Sequence, residues 1–122
     1  MIKIAPEYIM RFIEYLNKNY PTDEDCYITF YHGEKCIEYI CKSCEQCISF
    51  AEYDKISKIL YIPTQYPTDK NPKFLLESIA HEYMHHIQNC ENRLNDDDRK
   101  FLEIEAKDRA IKIVENYLNI KK

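Results

Sequence analysis

The chain has 122 residues, with 17 basic against 21 acidic side chains and a formal charge of −4, which suits one domain with one modest core and leaves no room for a substrate-binding domain of ordinary size. No Lys/Arg block interrupts the charge mixture, so nucleic acid is not an expected partner. The first residues, Met1-Ile2-Lys3-Ile4-Ala5-Pro6-Glu7, lack the basic start and apolar run of a signal peptide, and no span of about 18 apolar residues follows; a soluble cytoplasmic protein with no membrane partner is expected.

From Pro6 to Asn19, Ile9, Phe12, Ile13 and Leu16 recur at helical spacing, with Pro6 tolerated in the first turn, which predicts an amphipathic helix backing the core. Residues 26–62 change character. Tyr27-Ile28-Thr29-Phe30-Tyr31, Ile37-Glu38-Tyr39-Ile40, Ile48-Ser49-Phe50-Ala51 and Ile59-Leu60-Tyr61-Ile62 are β-rich segments, which predict a small antiparallel sheet of three or four strands. His32-Gly33-Glu34-Lys35 and Asp54-Lys55-Ile56-Ser57 read as hairpin turns. A proline-bracketed loop from Pro63 leads to Pro72, where a helix should begin and run to about Asn89. After a loop near Asn92 to Asn95, the triplet Asp96-Asp97-Asp98 suits the positive end of a last helix reaching about Tyr117. The fold class expected is α+β over residues 1–122.

Within the long helix, His81-Glu82-Tyr83-Met84-His85 is an H-E-x-x-H run. Histidines four apart lie on one helical face, where both imidazoles reach one Zn²⁺ and the adjacent glutamate meets water at the metal. The flanks Ser78-Ile79-Ala80 and His86-Ile87 carry no charge and no proline, as a buried active-site helix requires. A catalytic zinc takes three protein ligands, so a third is needed. Glu103, Glu105 and Asp108 on the last helix are the candidates. Leu102, Ala106, Ala110, Ile113 and Tyr117 mark the apolar face of that helix, and Glu103 lies nearer its centre than Glu105.

The pairing of His81-Glu82-x-x-His85 with Glu103-Ile104-Glu105-Ala106-x-x-x-Ala110 resembles the gluzincin metallopeptidases, the group that includes thermolysin, in which the third ligand is a glutamate on the helix after the motif. The short length is most similar to the archaeal minigluzincins, which keep a backing helix, a small sheet, the motif helix and the glutamate helix. The twenty-residue step from His85 to Glu105 and the Glu-x-Glu-Ala run imply Glu105 as the zinc ligand. Where thermolysin-like enzymes place an Asp four residues after that ligand, this chain has Arg109.

The resemblance implies a zinc-dependent endopeptidase acting on peptides or unfolded proteins, with zinc on His81, His85 and Glu105 and Glu82 as general base. It also implies a substrate strand paired with a sheet edge, for which the segment Ile59 to Ile62 is the candidate. Larger gluzincins draw an oxyanion-stabilising Tyr or His from a second subdomain. Tyr66 or His86 could serve here, and a weak, latent or self-inhibited enzyme, its cleft covered by a terminal segment or a second copy, is expected. The alternative is a noncatalytic regulatory or interaction module that retains a zinc site. Cys36, Cys41, Cys44 and Cys47 form a C-x4-C-x2-C-x2-C cluster that suits a second, structural metal, disulfides (with Cys26 or Cys90) or free thiols equally.

Overall fold

Pro6 opens α1 (Pro6–Asn19) at a position where its missing N–H costs no hydrogen bond, and the turn closes as Tyr20 N donates to Leu16 O at 2.8 Å. The computed structural model describes residues 2–3, 6–31, 39–40, 48–49, 51–63, 65–66, 72–94 and 99–120. Among these residues the fold is α+β, with three helices and a small three-stranded mixed sheet. The remaining helices are α2 (Pro72–Cys90) and α3 (Arg99–Ile120). The strands are β1 (Ile2–Lys3), β2 (Tyr27–Tyr31), β3 (Tyr39–Ile40), β4 (Ile48–Ser49), β5 (Glu52–Asp54), β6 (Ile59–Pro63) and β7 (Gln65–Tyr66). No helix is long and apolar enough to cross a membrane among the described residues.

The expectation of an antiparallel sheet needs correction. Strand order is β2-β6-β5, with β2 parallel to β6 and β5 antiparallel to it. Parallel pairing needs a long connection to bring the chain back in the same direction, and residues 32–58 supply it. The segment Ile59 to Ile62, expected to form an edge for substrate, is therefore the central strand, with partners on both sides. Among the described residues, β3 and β4 pair with each other, and β1 pairs antiparallel with β7, a ladder the sequence patterning did not signal. The turn expected at 54–57 is present: Ile56 N donates to Asp54 Oδ1 at 3.0 Å, and Lys58 takes the left-handed conformation (φ 57°) to re-enter the ladder. The turn expected at His32 to Lys35 and the acidic triplet Asp96 to Asp98 lie outside the described residues.

Alternation along β6 buries Leu60 and Ile62 on the face toward α2. The buried stripe of α1 (Ile9, Phe12, Ile13, Leu16) and that of α3 (Ala106, Ala110, Ile113, Val114, Tyr117) join them in one core. Phe12 meets the Tyr117 ring edge-on at 4.9 Å, with Tyr15 5.0 Å from Tyr117, a geometry that adds to simple area burial. Because α2 packs against α1, α3, β5 and β6, its position fixes the histidines and glutamate it carries. Phe12→Ala should lower the free energy of unfolding by about 3–5 kcal/mol, a large share of the roughly 5–15 kcal/mol total; urea denaturation of the variant beside the parent measures this, and a loss below about 1 kcal/mol would contradict the packing described.

Candidate metal centre

His81 and His85 stand one turn apart on α2, their ring centroids 5.0 Å from each other. Glu103 arrives from α3, one turn after its first residue Arg99: Oε2 lies 2.9 Å from His81 Nε2 and Oε1 3.0 Å from His85 Nε2. One donor atom from each residue falls within a group spanning no more than 4.8 Å, the grouping among the described residues that could hold a metal ion. Bonds of about 2.0–2.2 Å in a tetrahedron set ligand atoms about 3.3 Å apart, so small outward movements would seat a zinc ion.

A further observation fits a cation. His85 is 2% exposed, and its Nε2 is buried without a hydrogen-bond partner, although Glu103 Oε1 is close. The approach is short but not aligned as a hydrogen bond. A buried polar atom in that condition costs about 1–3 kcal/mol unless something engages it, and an imidazole nitrogen aimed at a carboxylate is a ready metal donor.

The charges are strongly coupled. Burial pushes the Glu103 carboxyl up, but the hydrogen bond shared with His81 and the charge of the two close imidazoles outweigh it and hold it well below the usual carboxylate range. Burial pulls His85 down, yet Glu103 and Glu82 bring it above its ordinary value. Glu82, next to His81, is raised by burial, with the two histidines pulling it partly back. Arg99, one turn before Glu103, places Nη2 3.0 Å from Glu103 Oε1 and is half exposed.

Glu105, the ligand implied by the resemblance, does not join the histidines. Its carboxylate takes both arms of Arg93, at 3.0 and 2.7 Å. Two residues along a helix turn the side chain by about 200°, so Glu103 and Glu105 cannot both face α2's histidine pair, and the buried stripe of α3 selects Glu103. Asp108 is exposed.

His86 is not poised for chemistry. Its Nε2 lies 2.8 Å from Glu24 O and its Nδ1 2.7 Å from Tyr53 Oη; the carbonyl can only accept, so Nε2 carries the proton and the tyrosine hydroxyl donates to Nδ1. Burial lowers the His86 pKa and raises that of Tyr53 to about 12, keeping this pair neutral. The side chain of Tyr66 and the cysteines Cys36, Cys41, Cys44 and Cys47 lie outside the described residues. Cys26 and Cys90 are free thiols, and burial pushes Cys26 up to about 12, an inert value at neutral pH.

Two residues at the site were missed on the sequence. Arg99 sits four positions before Glu103 and Gln88 three after His85, both helical-neighbour spacings that become readable only once Glu103 is placed beside the histidines. Comparison of the chain with protein-family models, with curated proteins and with solved structures finds no match.

Glu103→Ala should weaken zinc binding more than 100-fold, whereas Glu105→Gln should cost no more than the roughly 10–100-fold that removal of a supporting group brings; competition with a chromophoric chelator ranks them, and the reverse order would restore Glu105 as ligand. In protein stripped of divalent ions, the lowered Glu103 contributes stability that is present above its ordinary 4.5 and lost as pH falls through the depressed value. The raised His85 contributes stability that is present below its ordinary 6.5 and lost as pH rises through the raised value. The thermal midpoint of that preparation should therefore decline above about pH 6.5, and Glu103→Gln should flatten the decline.

Proposed function

We propose that the chain is a zinc-dependent peptidase that hydrolyses peptide bonds in peptides or unfolded proteins, built as a minimal zincin. The observation that carries this reading is the convergence of His81 Nε2, His85 Nε2 and the Glu103 carboxylate, with Glu82 beside the first of them. A structural zinc takes four protein ligands, whereas a catalytic one takes three and keeps a position for water; the three donors found among the described residues, with a flanking carboxylate, match the second pattern. Zinc bound there would lower the pKa of its water toward neutrality and polarise the scissile carbonyl.

The chain's own residues do the rest. Glu82 accepts the proton from the attacking water and returns it to the leaving amine; burial raises its pKa, which moves it toward the operating pH, where a general base is most effective. The half-exposed guanidinium of Arg99, tethered to Glu103, is the positive charge we assign to the developing oxyanion. This gives a short chain a substitute for the Tyr or His that larger gluzincins draw from a second subdomain. With β6 in the centre of the sheet, the outer strand β5, which lies against α2, replaces it as the strand alongside which an extended substrate would be laid.

Incubation of the zinc-loaded protein with an unfolded protein, with fragments followed by mass spectrometry, tests the reading. Glu82→Gln should keep zinc and lose about 10²–10⁴-fold in cleavage rate. Arg99→Ala should lose about 10²–10³-fold, chiefly in kcat, and Arg99→Lys should recover part of it. Zinc bound stoichiometrically with no cleavage by the parent under any condition, including added reductant and dilution, would favour the noncatalytic module instead.

A further inference from the structure

We infer that Gln88 is a positioning residue: its side-chain amide sets the tautomer and ring orientation of His85, so that Nε2 offers its lone pair to the metal. The inference rests on reading the histidine pair and Glu103 as a metal site. Gln88 is fully buried, so each of its polar atoms must be satisfied by the protein.

Chemistry alone assigns its amide. Gln88 Nε2 lies 3.0 Å from Leu102 O and 3.4 Å from Glu105 Oε1; a carbonyl and a carboxylate only accept, so the group facing them must be the NH₂. The amide oxygen then faces His85 Nδ1 at 2.9 Å. An amide oxygen also only accepts, so Nδ1 carries the proton, and a neutral imidazole with its proton on Nδ1 has a bare lone pair on Nε2. That is the nitrogen found buried without an aligned partner beside Glu103. His81 differs, since its Nε2 shares a hydrogen bond with Glu103 and must surrender any proton there before it can ligate.

The amide is itself held. Asn92 adopts φ 58°, Arg93 N donates to Gln88 O at 2.8 Å and Asn92 N to Asn89 O at 3.0 Å, the hydrogen-bond pair of a Schellman motif closing α2. This reversal carries the Arg93 side chain back to Glu105, whose Oε1 also receives the Gln88 amide. Glu105 therefore acts on the centre through Gln88 and not as a ligand. A chain of hydrogen bonds runs from the Arg93–Glu105 pair to the imidazole, and a metal-binding histidine usually needs such a partner on its other nitrogen.

Long-range ¹H–¹⁵N correlation spectra of the histidine rings test this in the full-length protein, first stripped of metal at a pH where His85 is neutral, then zinc-loaded. The parent should show His85 as Nδ1–H in both. Gln88→Leu should shift the metal-free His85 toward Nε2–H and raise the zinc dissociation constant about 10–100-fold, while Gln88→Glu, which keeps an acceptor, should retain the Nδ1–H form and most of the affinity. Nε2–H in the metal-free parent, a measurement that needs no variant to fold, overturns the inference, as does a Gln88→Leu protein with unchanged tautomer and affinity. A parent with Nδ1–H on His85 that binds no zinc overturns the metal reading instead and leaves the tautomer assignment standing.

Discussion

The packing of α3 along α2 is the constraint on which the centre depends. Ala80 on α2 and Ala106 and Ala110 on α3 are buried where the core gathers, and small side chains let helix backbones approach closely enough for short polar side chains to bridge them. That proximity is what allows Glu103 to reach two imidazoles and Gln88 to reach the Leu102 carbonyl. Polar groups buried between helices are costly unless paired, so the same pairs that define the site also restrict how far one helix can slide past the other. A register shift of one residue would rotate Glu103 away by about 100° and leave the histidines and Gln88 without their partners.

The opposite face of α2 is tied down by different chemistry. Tyr83 donates to Tyr20 O at 2.9 Å, and His86 bridges Glu24 O and Tyr53 Oη, while Asn89 reaches Tyr53 Oη and Lys55 O. These bonds join the segment after α1, the β5–β6 turn and the motif helix. Adjacent histidines thus have opposite fates. His86 has both nitrogens occupied and serves as a strut; His85 has one nitrogen held by Gln88 and the other bare. The difference follows from their 100° separation around the helix, which directs one toward the sheet side and the other toward α3.

Two conflicting signals bore on which glutamate of α3 would face the histidines. Helical periodicity placed Glu103 nearer the apolar face of α3, whereas the residue step after the motif favoured Glu105 by resemblance. The geometry agrees with periodicity, because a side chain's reach across a helix pair depends on its angular position and not on a count along the chain. The β-rich segments were legible for a related reason: alternation reports burial of one face, as at Leu60 and Ile62. It carries no information on which strand lies beside which, and the parallel pairing of β2 with β6 was not legible at all. Arg93 and Asn92 looked like loop residues, yet their value lies in a left-handed turn that only the folded chain reveals.

The amino-acid order by itself determined the α+β class, the extent of α1 and the helix carrying His81, Glu82 and His85, because these rest on local periodicity, which acts within one or two turns. It also narrowed the third donor to a few acidic residues on the last helix. Tertiary structure alone decided that Glu103 meets the histidines, that Glu105 binds Arg93, that β6 is central, and that Gln88 holds His85. Each of these is a contact between elements far apart along the chain, and what sets it is the angle and register at which buried faces meet, a quantity no single element contains.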